Sequence, residues 1–265
     1  MPLPSKFYKY RSMDTASVQY VESTVLKNEL YFAKSSQFND PFDLSPVFSF
    51  EGSFEERVAD FVRLLEKFEP GLMDQAKRQA YAEERVRLAL DDGRIDSTTE
   101  QMMSFHRQEV ADKTGVYCVS TTPSNILMWA HYGDSHRGIC LEFDGILGYD
   151  HTPLQVRYSQ EREPVRMYKK STEDLFKVFC TKSNHWSYEE EWRLIRPVYE
   201  GGPGVVHFSP NRLTGIVIGA MASPETVRTV FNWAEQRAPQ INVYKAALSK
   251  SQFAVEISDA CELGR

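Results

Sequence analysis

Short stretches of alternating or continuous apolar residues recur along the chain and predict β-strands. Residues 7–11 alternate aromatic with basic side chains, residues 138–144 alternate apolar with acidic ones, and residues 216–218 are all apolar. A period of two is typical of a half-buried strand, and a continuous apolar run is typical of a central strand. The alternation points Glu142 and Asp144 outward. Further strands are expected at 30–33, 115–120, 154–158, 194–199, 205–208, 241–244 and 253–257.

Apolar residues at helical spacing predict helices between these strands. Val18, Val21 and Val25 recur every three or four residues. The block 53–113 is different, because charged residues dominate it. There we expect three helices: one carrying Phe54, Val58, Phe61 and Leu65 on one face, one opened by Pro70, and one over about 97–112.

The order of these elements indicates the fold class. Strands outnumber helices outside the block 53–113, and the two do not alternate regularly. This favours an α+β fold with a split or mixed central β-sheet. We expect a single domain over 1–265, with a helical insertion at about 53–113 that packs on it as a lid or interface.

Composition narrows the class of protein. The net charge of −6 argues against a general nucleic-acid-binding surface, although a small basic cleft would be compatible with it. Four scattered cysteines without a Cys-x-x-Cys pair predict reduced thiols in a cytoplasmic protein. The N-terminus has no apolar leader and no apolar run reaches the length of a membrane span, so neither secretion nor membrane insertion is expected.

Three consecutive glutamates at 189–191 are the most unusual local feature. They lie between aromatic residues and run into an apolar strand, although glutamate is a poor strand former and neighbouring like charges repel. In an extended segment, Glu189, Glu191 and Arg193 would share one face and Glu190 would take the other. Either this is a solvated strand end with a Glu–Arg pair, or it presents two carboxylates to a ligand.

Two further stretches near the N-terminus carry candidate binding groups. Arg11, after Tyr10, could hold a phosphate or carboxylate through two hydrogen bonds, or form a surface salt bridge. Residues 35–43 contain Asn39, Asp40 and a proline, which is typical of a structural turn. The same turn could shape a pocket wall, with Phe38 stacking on a ligand ring.

Residues 129–138 invite a metal interpretation that their spacing disfavours. His131 and His136 are five residues apart, which does not fit one face of a helix, and no third ligand is marked. Histidines with satisfied hydrogen bonds beside a packed Trp129 are the simpler explanation. The sequence also lacks a glycine-rich phosphate loop and a recognisable nucleophile elbow.

Six motifs, in this order, resemble an uncharacterised bacterial family, the domain-of-unknown-function family 2971. They are residues 7–11 (FYKYR), 30–32 (LYF), 38–42 (FNDPF), 128–132 (MWAHY), 136–143 (HRGICLEF) and 188–193 (YEEEWR). Together they span nearly the whole chain. Membership of this family does not by itself supply an activity.

A second, weaker resemblance does imply an activity. The order of a strand ending in a basic residue, a helix, a strand followed by Ser-Ser and an aromatic residue, and a late strand led by Glu-x-Glu is similar to the ADP-ribosyltransferase plan. This sequence departs from that plan, because Lys34-Ser35-Ser36 stands where Ser-Thr-Ser is usual and no glycine marks a close approach of the backbone to the dinucleotide. It also gives no role to the motif at 128–132.

The resemblance implies an NAD-consuming enzyme, with NAD as substrate and no metal. Arg11 would face the phosphates or ribose, Ser35 and Ser36 would support the nicotinamide, and Phe38 would stack on its ring. Glu191 would be the catalytic carboxylate and Glu189 its target-facing partner. The other residues expected around the cofactor are Tyr10, Asn39, Asp40, Trp129, His131 and Tyr132. The chemistry suits carboxylates, because breaking the nicotinamide–ribose bond passes through an oxocarbenium-like cation.

The resemblance leaves the biological setting and two other functions open. A transferase of this kind could be a toxin or an antiphage effector, acting on a protein or nucleic acid and held by an antitoxin or another partner. One alternative is a metal-dependent hydrolase or nuclease using His131, His136, Glu142 and Asp144. The other is a non-enzymatic sensing or partner-binding module with 53–113 as its interface.

Overall fold

The computed structural model describes residues 3–92, 101, 105, 112–145, 152–168 and 172–260. The chain divides into two compact units, each built from separate segments. The first unit comprises Met1–Lys34, Thr114–Tyr158 and Lys182–Arg265. The second comprises Ser35–Lys113 and Ser159–Thr181, so the insertion expected at 53–113 lies inside a larger unit.

The first unit is built on an eight-stranded sheet. The strands of both units, in chain order, are β1 Lys6–Arg11, β2 Glu29–Phe32, β3 Phe48–Ser49, β4 Gly115–Ser120, β5 Ile139–Asp144, β6 Leu154–Gln155, β7 Arg157–Ser159, β8 Val165–Arg166, β9 Thr181–Ser183, β10 Glu191–Arg196, β11 Gly204–His207, β12 Leu213–Ile218, β13 Asn242–Leu248 and β14 Val255–Asp259. The large sheet has the order β14-β13-β12-β5-β1-β4-β10-β6.

The sheet is mixed, as the sequence predicted. β12 and β13 run parallel, while β1, β5, β4 and β10 pair antiparallel with their neighbours. β12 lies between β5 and β13, and Ile216, Val217 and Ile218 are buried. The α+β class and the central position of the all-apolar strand are therefore confirmed.

Six helices accompany the strands in the described part of the chain, some of them closed by side-chain caps. They are α1 Val18–Lys27, α2 Phe54–Phe68, α3 Gln75–Asp91, α4 Ile126–Tyr132, α5 Thr172–Phe179 and α6 Pro224–Gln236. α3 does not start at Pro70 as expected, because the Asp74 carboxylate accepts the Lys77 amide at 2.9 Å and fixes the first turn there. The helix expected over about 97–112 lies almost wholly outside the described residues.

Side chains alternate across the sheet and fill two cores. On one face, Phe7, Leu141 and Leu194 pack with Val21 and Val25 of α1 and with Val230 and Trp233 of α6. On the other face, Tyr10, Cys140 and Val217 pack with Met128 and Trp129 of α4. We call these the α1/α6 face and the α4 face.

The second unit holds α2, α3 and α5 with the small parallel pair β3–β8. Ser53 caps α2 in a capping box with Glu56, and Val58 on the predicted apolar face packs with Ala82 and Val86 of α3. Among the described residues, no helix has the length and apolar character needed to cross a membrane.

Candidate functional site

The edge of β4 changes partner along its length, and this opens a split in the sheet. The register of β1 with β4 covers the single pair Tyr8–Ser120. Further along β4, Val116 exchanges two backbone hydrogen bonds with Ala33, of 2.8 and 2.9 Å. Because Ala33 occupies the place that β1 would otherwise take, β1 and β4 separate between Ser120 and Val116. The sheet, which we expected to be split or mixed, is therefore mixed overall, and its split is confined to β1 and β4.

Lys9 and Arg11 lie on β1 where it leaves β4. The Lys9 Nζ atom is 5.1 Å from the centre of the Tyr117 ring. Burial, followed by the charge of Arg11, lowers the pKa of Lys9 to about 8, against the opposing charge of Glu191. Burial raises the pKa of Tyr117 to about 12 even though the neighbouring Arg11 opposes this. Two basic groups thus lie close together at the split, where an anion would relieve their repulsion.

The lowered pKa of Lys9 predicts a pH dependence of stability. Below about pH 8 the folded protein holds Lys9 charged at a cost, and between about pH 8 and 10.5 the unfolded chain binds more protons than the folded one. Stability from this group therefore rises with pH across that window. We expect the difference in free energy of unfolding between wild type and Lys9→Met, measured with denaturant from pH 7.5 to 10, to shift in favour of wild type. A difference that stays flat would contradict the lowered pKa.

Strand register separates Arg11 from the glutamates. Arg11 pairs with Ile139 on the α1/α6 face, whereas Glu191 pairs with Ser120 and projects from the α4 face. Arg11 and Glu191, which were predicted to line one pocket, therefore project from opposite faces of the sheet. Across the sheet, the charges of Glu191 and Glu189 still raise the pKa of Lys9 slightly, against the larger effect of burial.

Glu191, the first residue of β10, is buried in ion pairs. Arg193 donates to both its oxygens, from Nε at 2.8 Å and from Nη2 at 3.0 Å, and Lys182 Nζ lies 3.2 Å from Oε2. Arg193 is 0% and Glu191 4% exposed. Burial alone would raise the pKa of Glu191, but the charges of Arg193 and Lys182 outweigh it and hold that pKa well below its usual range. The predicted Glu–Arg pair exists, yet it is buried and not solvated.

Glu189 shares Lys182 with Glu191. Lys182 Nζ donates to Glu189 Oε2 at 2.5 Å, and the Tyr132 hydroxyl donates to Oε1 at 2.6 Å. Burial raises the pKa of Glu189 more than Lys182 lowers it, and the nearby Glu191 raises it further. The two carboxylates thus differ: Glu191 is fixed as an anion, and Glu189 is the one that binds a proton more readily.

The backbone explains why Glu190 stands apart. Residues Asn184–Glu189 form a 3-10 helix, and Glu190 follows in the left-handed conformation with φ 46°. Glu190 is exposed and accepts a hydrogen bond from the Thr121 hydroxyl at 2.5 Å. The predicted separation of Glu190 from Glu189 and Glu191 is confirmed. Its predicted cause is wrong, because a turn before β10, and not strand alternation, turns Glu190 away.

Sequence reasoning missed three residues around Glu191. Lys182 bridges the carboxylates, the Tyr158 hydroxyl accepts the Glu191 amide at 2.8 Å, and Cys118 lies close enough for the charge of Glu191 to act on its thiol. Burial, followed by the charge of Glu191, raises the pKa of Cys118, so its sulfur remains a thiol. Cys118 is placed by its register opposite Arg193. No local pattern marks Lys182 or Tyr158, since only the tertiary fold brings them to the glutamates.

A strip of aromatic rings adjoins the carboxylate pair. The ring of Tyr188 lies 6.0 Å from Trp186, with 43° between the planes, and 6.0 Å from His131, with 33°. His131 in turn lies 6.4 Å from Tyr132, whose hydroxyl binds Glu189. Trp186, Tyr188 and Tyr132 are part-exposed and His131 is exposed. We call these four residues the aromatic strip.

Asn125 and Lys182 contact the aromatic strip and hold two of its residues in place. The Asn125 side chain, which also caps α4, donates to the Tyr188 carbonyl oxygen at 2.9 Å. The Lys182 Nζ atom, which binds both glutamates, also lies 5.0 Å from the centre of the Trp186 ring. The motifs at 128–132 and 188–193 therefore form one site, in which His131 and Tyr132 lie beside the glutamates as the resemblance implied.

Two residues expected around a cofactor are core residues instead. Trp129 is 0% exposed and its indole nitrogen donates to the Pro123 carbonyl oxygen at 2.8 Å. Tyr10 packs against Trp129 edge to face and donates to the Thr122 carbonyl oxygen at 2.8 Å. Their polar atoms are satisfied by the backbone, so they support α4 on the sheet, and their expected contact with a cofactor stays a prediction.

The residues expected to hold the nicotinamide lie in the second unit. Ser35 and Ser36 begin a 3-10 turn, Ser35–Gln37, and the Phe38 amide closes it on the Ser35 carbonyl oxygen. Asp40 is buried and accepts the Phe42 amide at 2.9 Å, as expected of the turn that also contains Asn39. The structural role of this turn is confirmed, and its cofactor role stays a prediction.

The residues of the metal alternative are dispersed. His136 is stacked on Trp129, Asp144 pairs with Arg212 at 2.9 Å, and Glu142 pairs with Lys6 at 2.8 Å. Glu142, predicted to point outward, is 4% exposed because the α4 face carries a second core. Within the described residues, no group of three or more histidines, cysteines, aspartates or glutamates is placed to hold a metal ion.

Comparison with known proteins gives one match. Residues 128–194 match the family model DUF2971, a protein of unknown function. The match supports the family resemblance that the sequence motifs suggested, and it covers the aromatic strip, Lys182 and all three glutamates. No curated protein and no solved structure matches the chain.

Proposed function

We propose that this member of the DUF2971 family is an NAD-consuming enzyme that transfers ADP-ribose to an acceptor. The observation that carries the proposal is the pair of buried carboxylates, Glu189 and Glu191, which share Lys182 beside the split in the sheet. Two carboxylates flanking one bond are what glycosyl transfer through a cationic transition state requires. The weaker resemblance to the ADP-ribosyltransferase plan points to the same class.

The proposed reaction breaks the bond between nicotinamide and the ribose carbon. The bonding electron pair leaves with nicotinamide, which becomes neutral, and the ribose carbon becomes an oxocarbenium-like cation. The acceptor then forms a bond to that carbon through its own electron pair and releases a proton. NAD⁺ and acceptor–H thus give ADP-ribosyl-acceptor, nicotinamide and H⁺. A negative charge fixed near the ribose lowers the barrier for the first step, and a base assists the second.

We assign the direct role to Glu189 and a positioning role to Glu191. Arg193 binds both oxygens of Glu191, so this carboxylate is largely neutralised and rigidly held. Glu189 has a raised pKa and accepts a hydrogen bond from the part-exposed Tyr132, so it adjoins the surface aromatic strip although it is itself buried. It is therefore better suited to stabilise the cation and to take the proton of the acceptor. This reverses the roles that the resemblance implied.

Lys9 and Arg11 are the groups we assign to the diphosphate. A diphosphate carries two negative charges, and the repulsion between Arg11 and Lys9 would be relieved by it. The pKa of Lys9, about 8 in the free protein, would then rise on binding, with uptake of a proton near neutral pH and above. The ribose–nicotinamide end would extend through the split toward Glu189.

The test is release of nicotinamide by the purified protein. We expect the full chain, incubated with NAD labelled in the adenine moiety and a cell lysate, to release nicotinamide and to transfer label to acceptor molecules. Arg11→Gln should raise the NAD concentration needed for half-maximal release, with a smaller effect on the maximal rate. Absence of NAD binding, nicotinamide release and label transfer together would sink the proposal.

A further inference from the structure

We propose that the aromatic strip binds an unpaired nucleobase, and that this base belongs to the acceptor. The second part rests on the proposed function, whereas the first stands on the strip alone. Trp186, Tyr188 and His131 present rings at 33–43° to one another with centres 6.0 Å apart. These tilted, solvent-accessible rings form an aromatic surface on which planar heteroaromatic rings can stack whatever their sequence.

The position of the strip links the base to the carboxylate pair. Tyr132 is the residue of the strip next to His131, and its hydroxyl donates a hydrogen bond to the Glu189 carboxylate at 2.6 Å. A ring stacked on Tyr188 or His131 therefore has its edge near the carboxylate assigned to take the acceptor proton. The exocyclic and ring nitrogens of a base lie on that edge, and a proton leaves one of them when it is alkylated by ribose.

The charges around the strip favour a base over a polyphosphate. Lys182 lies against Trp186, but its ammonium is buried and shared between Glu189 and Glu191. Arg137, the exposed cation nearest in the chain to the strip, pairs with Asp134 at 3.0 Å. Both of these cations are already engaged in ion pairs, so we assign the binding energy to the ring faces and not to a phosphate contact. This agrees with the net charge of −6, which argues against a general nucleic-acid surface.

The tryptophans of the chain give a direct readout of binding. Of the four, Trp129, Trp192 and Trp233 are 0%, 8% and 4% exposed, and Trp186 is the part-exposed one. Stacking of a base on Trp186 should quench its emission without any turnover of NAD. We expect short single-stranded oligonucleotides to quench the emission of the full chain, and a blunt duplex of the same sequence to leave it unchanged because its bases are paired.

Variants separate stacking from other causes of quenching. Trp186→Phe should lose the emission change but keep binding of a fluorescently labelled oligonucleotide, since phenylalanine can still stack. Trp186→Ala and Tyr188→Ala should each weaken that binding about tenfold or more. Trp233→Phe, at a buried position on the α1/α6 face, is the matched control. It should lower the total emission by the contribution of Trp233 and leave both the quenching and the oligonucleotide binding unchanged.

The outcomes distinguish this inference from the proposed function. Quenching by single strands with nicotinamide release intact supports both, and Glu189→Gln should reduce release about 10²–10³-fold while base binding persists. Quenching by free nucleosides but not by oligonucleotides would keep the base and place its source among small molecules. Equal quenching by duplex, or no quenching by any of these ligands, would overturn the inference and leave the NAD chemistry untouched. Displacement of the oligonucleotide by a non-hydrolysable NAD analogue would overturn its assignment to the acceptor.

Discussion

Replacing Arg193 with methionine lowers the free energy of unfolding by about 3–5 kcal/mol, which is the usual cost of breaking a fully buried ion pair. Arg193 is 0% exposed and donates two hydrogen bonds to Glu191. Methionine fills much of the volume but leaves Glu191 with Lys182 alone, at 3.2 Å and shared with Glu189. Equilibrium denaturation of the two proteins at neutral pH measures the difference.

Two further variants show whether the loss comes from the orphaned charge. Adding Glu191→Gln to Arg193→Met should recover a large part of the stability, because the amide no longer carries a buried charge that needs a partner. Arg212→Met is the matched control, since it removes an arginine from the exposed pair with Asp144 and should cost at most about 1 kcal/mol. Equal losses for Arg193→Met and Arg212→Met would refute the buried network.

Glu189→Gln should reduce nicotinamide release about 10²–10³-fold while NAD still binds. Glutamine keeps the shape and one acceptor oxygen for the Tyr132 hydroxyl, but it carries no charge to stabilise the cation and cannot take a proton. Lys182 keeps Glu191 as its partner, so no buried charge is left alone. Single-turnover release, with NAD binding measured by calorimetry, separates the loss of rate from any loss of affinity.

Glu190→Gln is the control that the chain itself offers. It makes the same change one residue away, at an exposed side chain whose described partner is Thr121. Its rate should equal that of the wild type. If both variants lose activity equally, the division between buried and exposed glutamates has no functional meaning, and the assignment of Glu189 is wrong.

Residues with a local pattern were predictable, and residues joined by the tertiary fold were not. Strand β12 followed from an apolar run, and α1 followed from valines at helical spacing, because burial imposes those periods directly. The start of α3 was misplaced, since Asp74 competed with Pro70 as the first signal and offered the side-chain cap. The second core on the α4 face was also hidden, because Glu142 is polar yet buried there.

The site shows the same division. Three adjacent glutamates drew attention to β10, and their unequal burial was expected, although a 3-10 helix and a left-handed residue produce it. Lys182, Tyr158 and Cys118 could not be linked to them from sequence. They come from β9, β7 and β4, and only the tertiary fold, including the pairing of β4 with β10, brings them together.

The Lys182 ammonium pairs with two carboxylates in this site, so a ligand cation at either carboxylate has to compete with it. Lys182 Nζ stands 2.5 Å from Glu189 and 3.2 Å from Glu191. A ligand cation that arrives at Glu189 competes with Lys182 for the same oxygen, and the displaced ammonium has a second anion already within reach. A ligand cation can therefore bind Glu189 while the Lys182 ammonium moves to Glu191. Neither carboxylate is left bare during the exchange, and no ion has to be drawn from solvent.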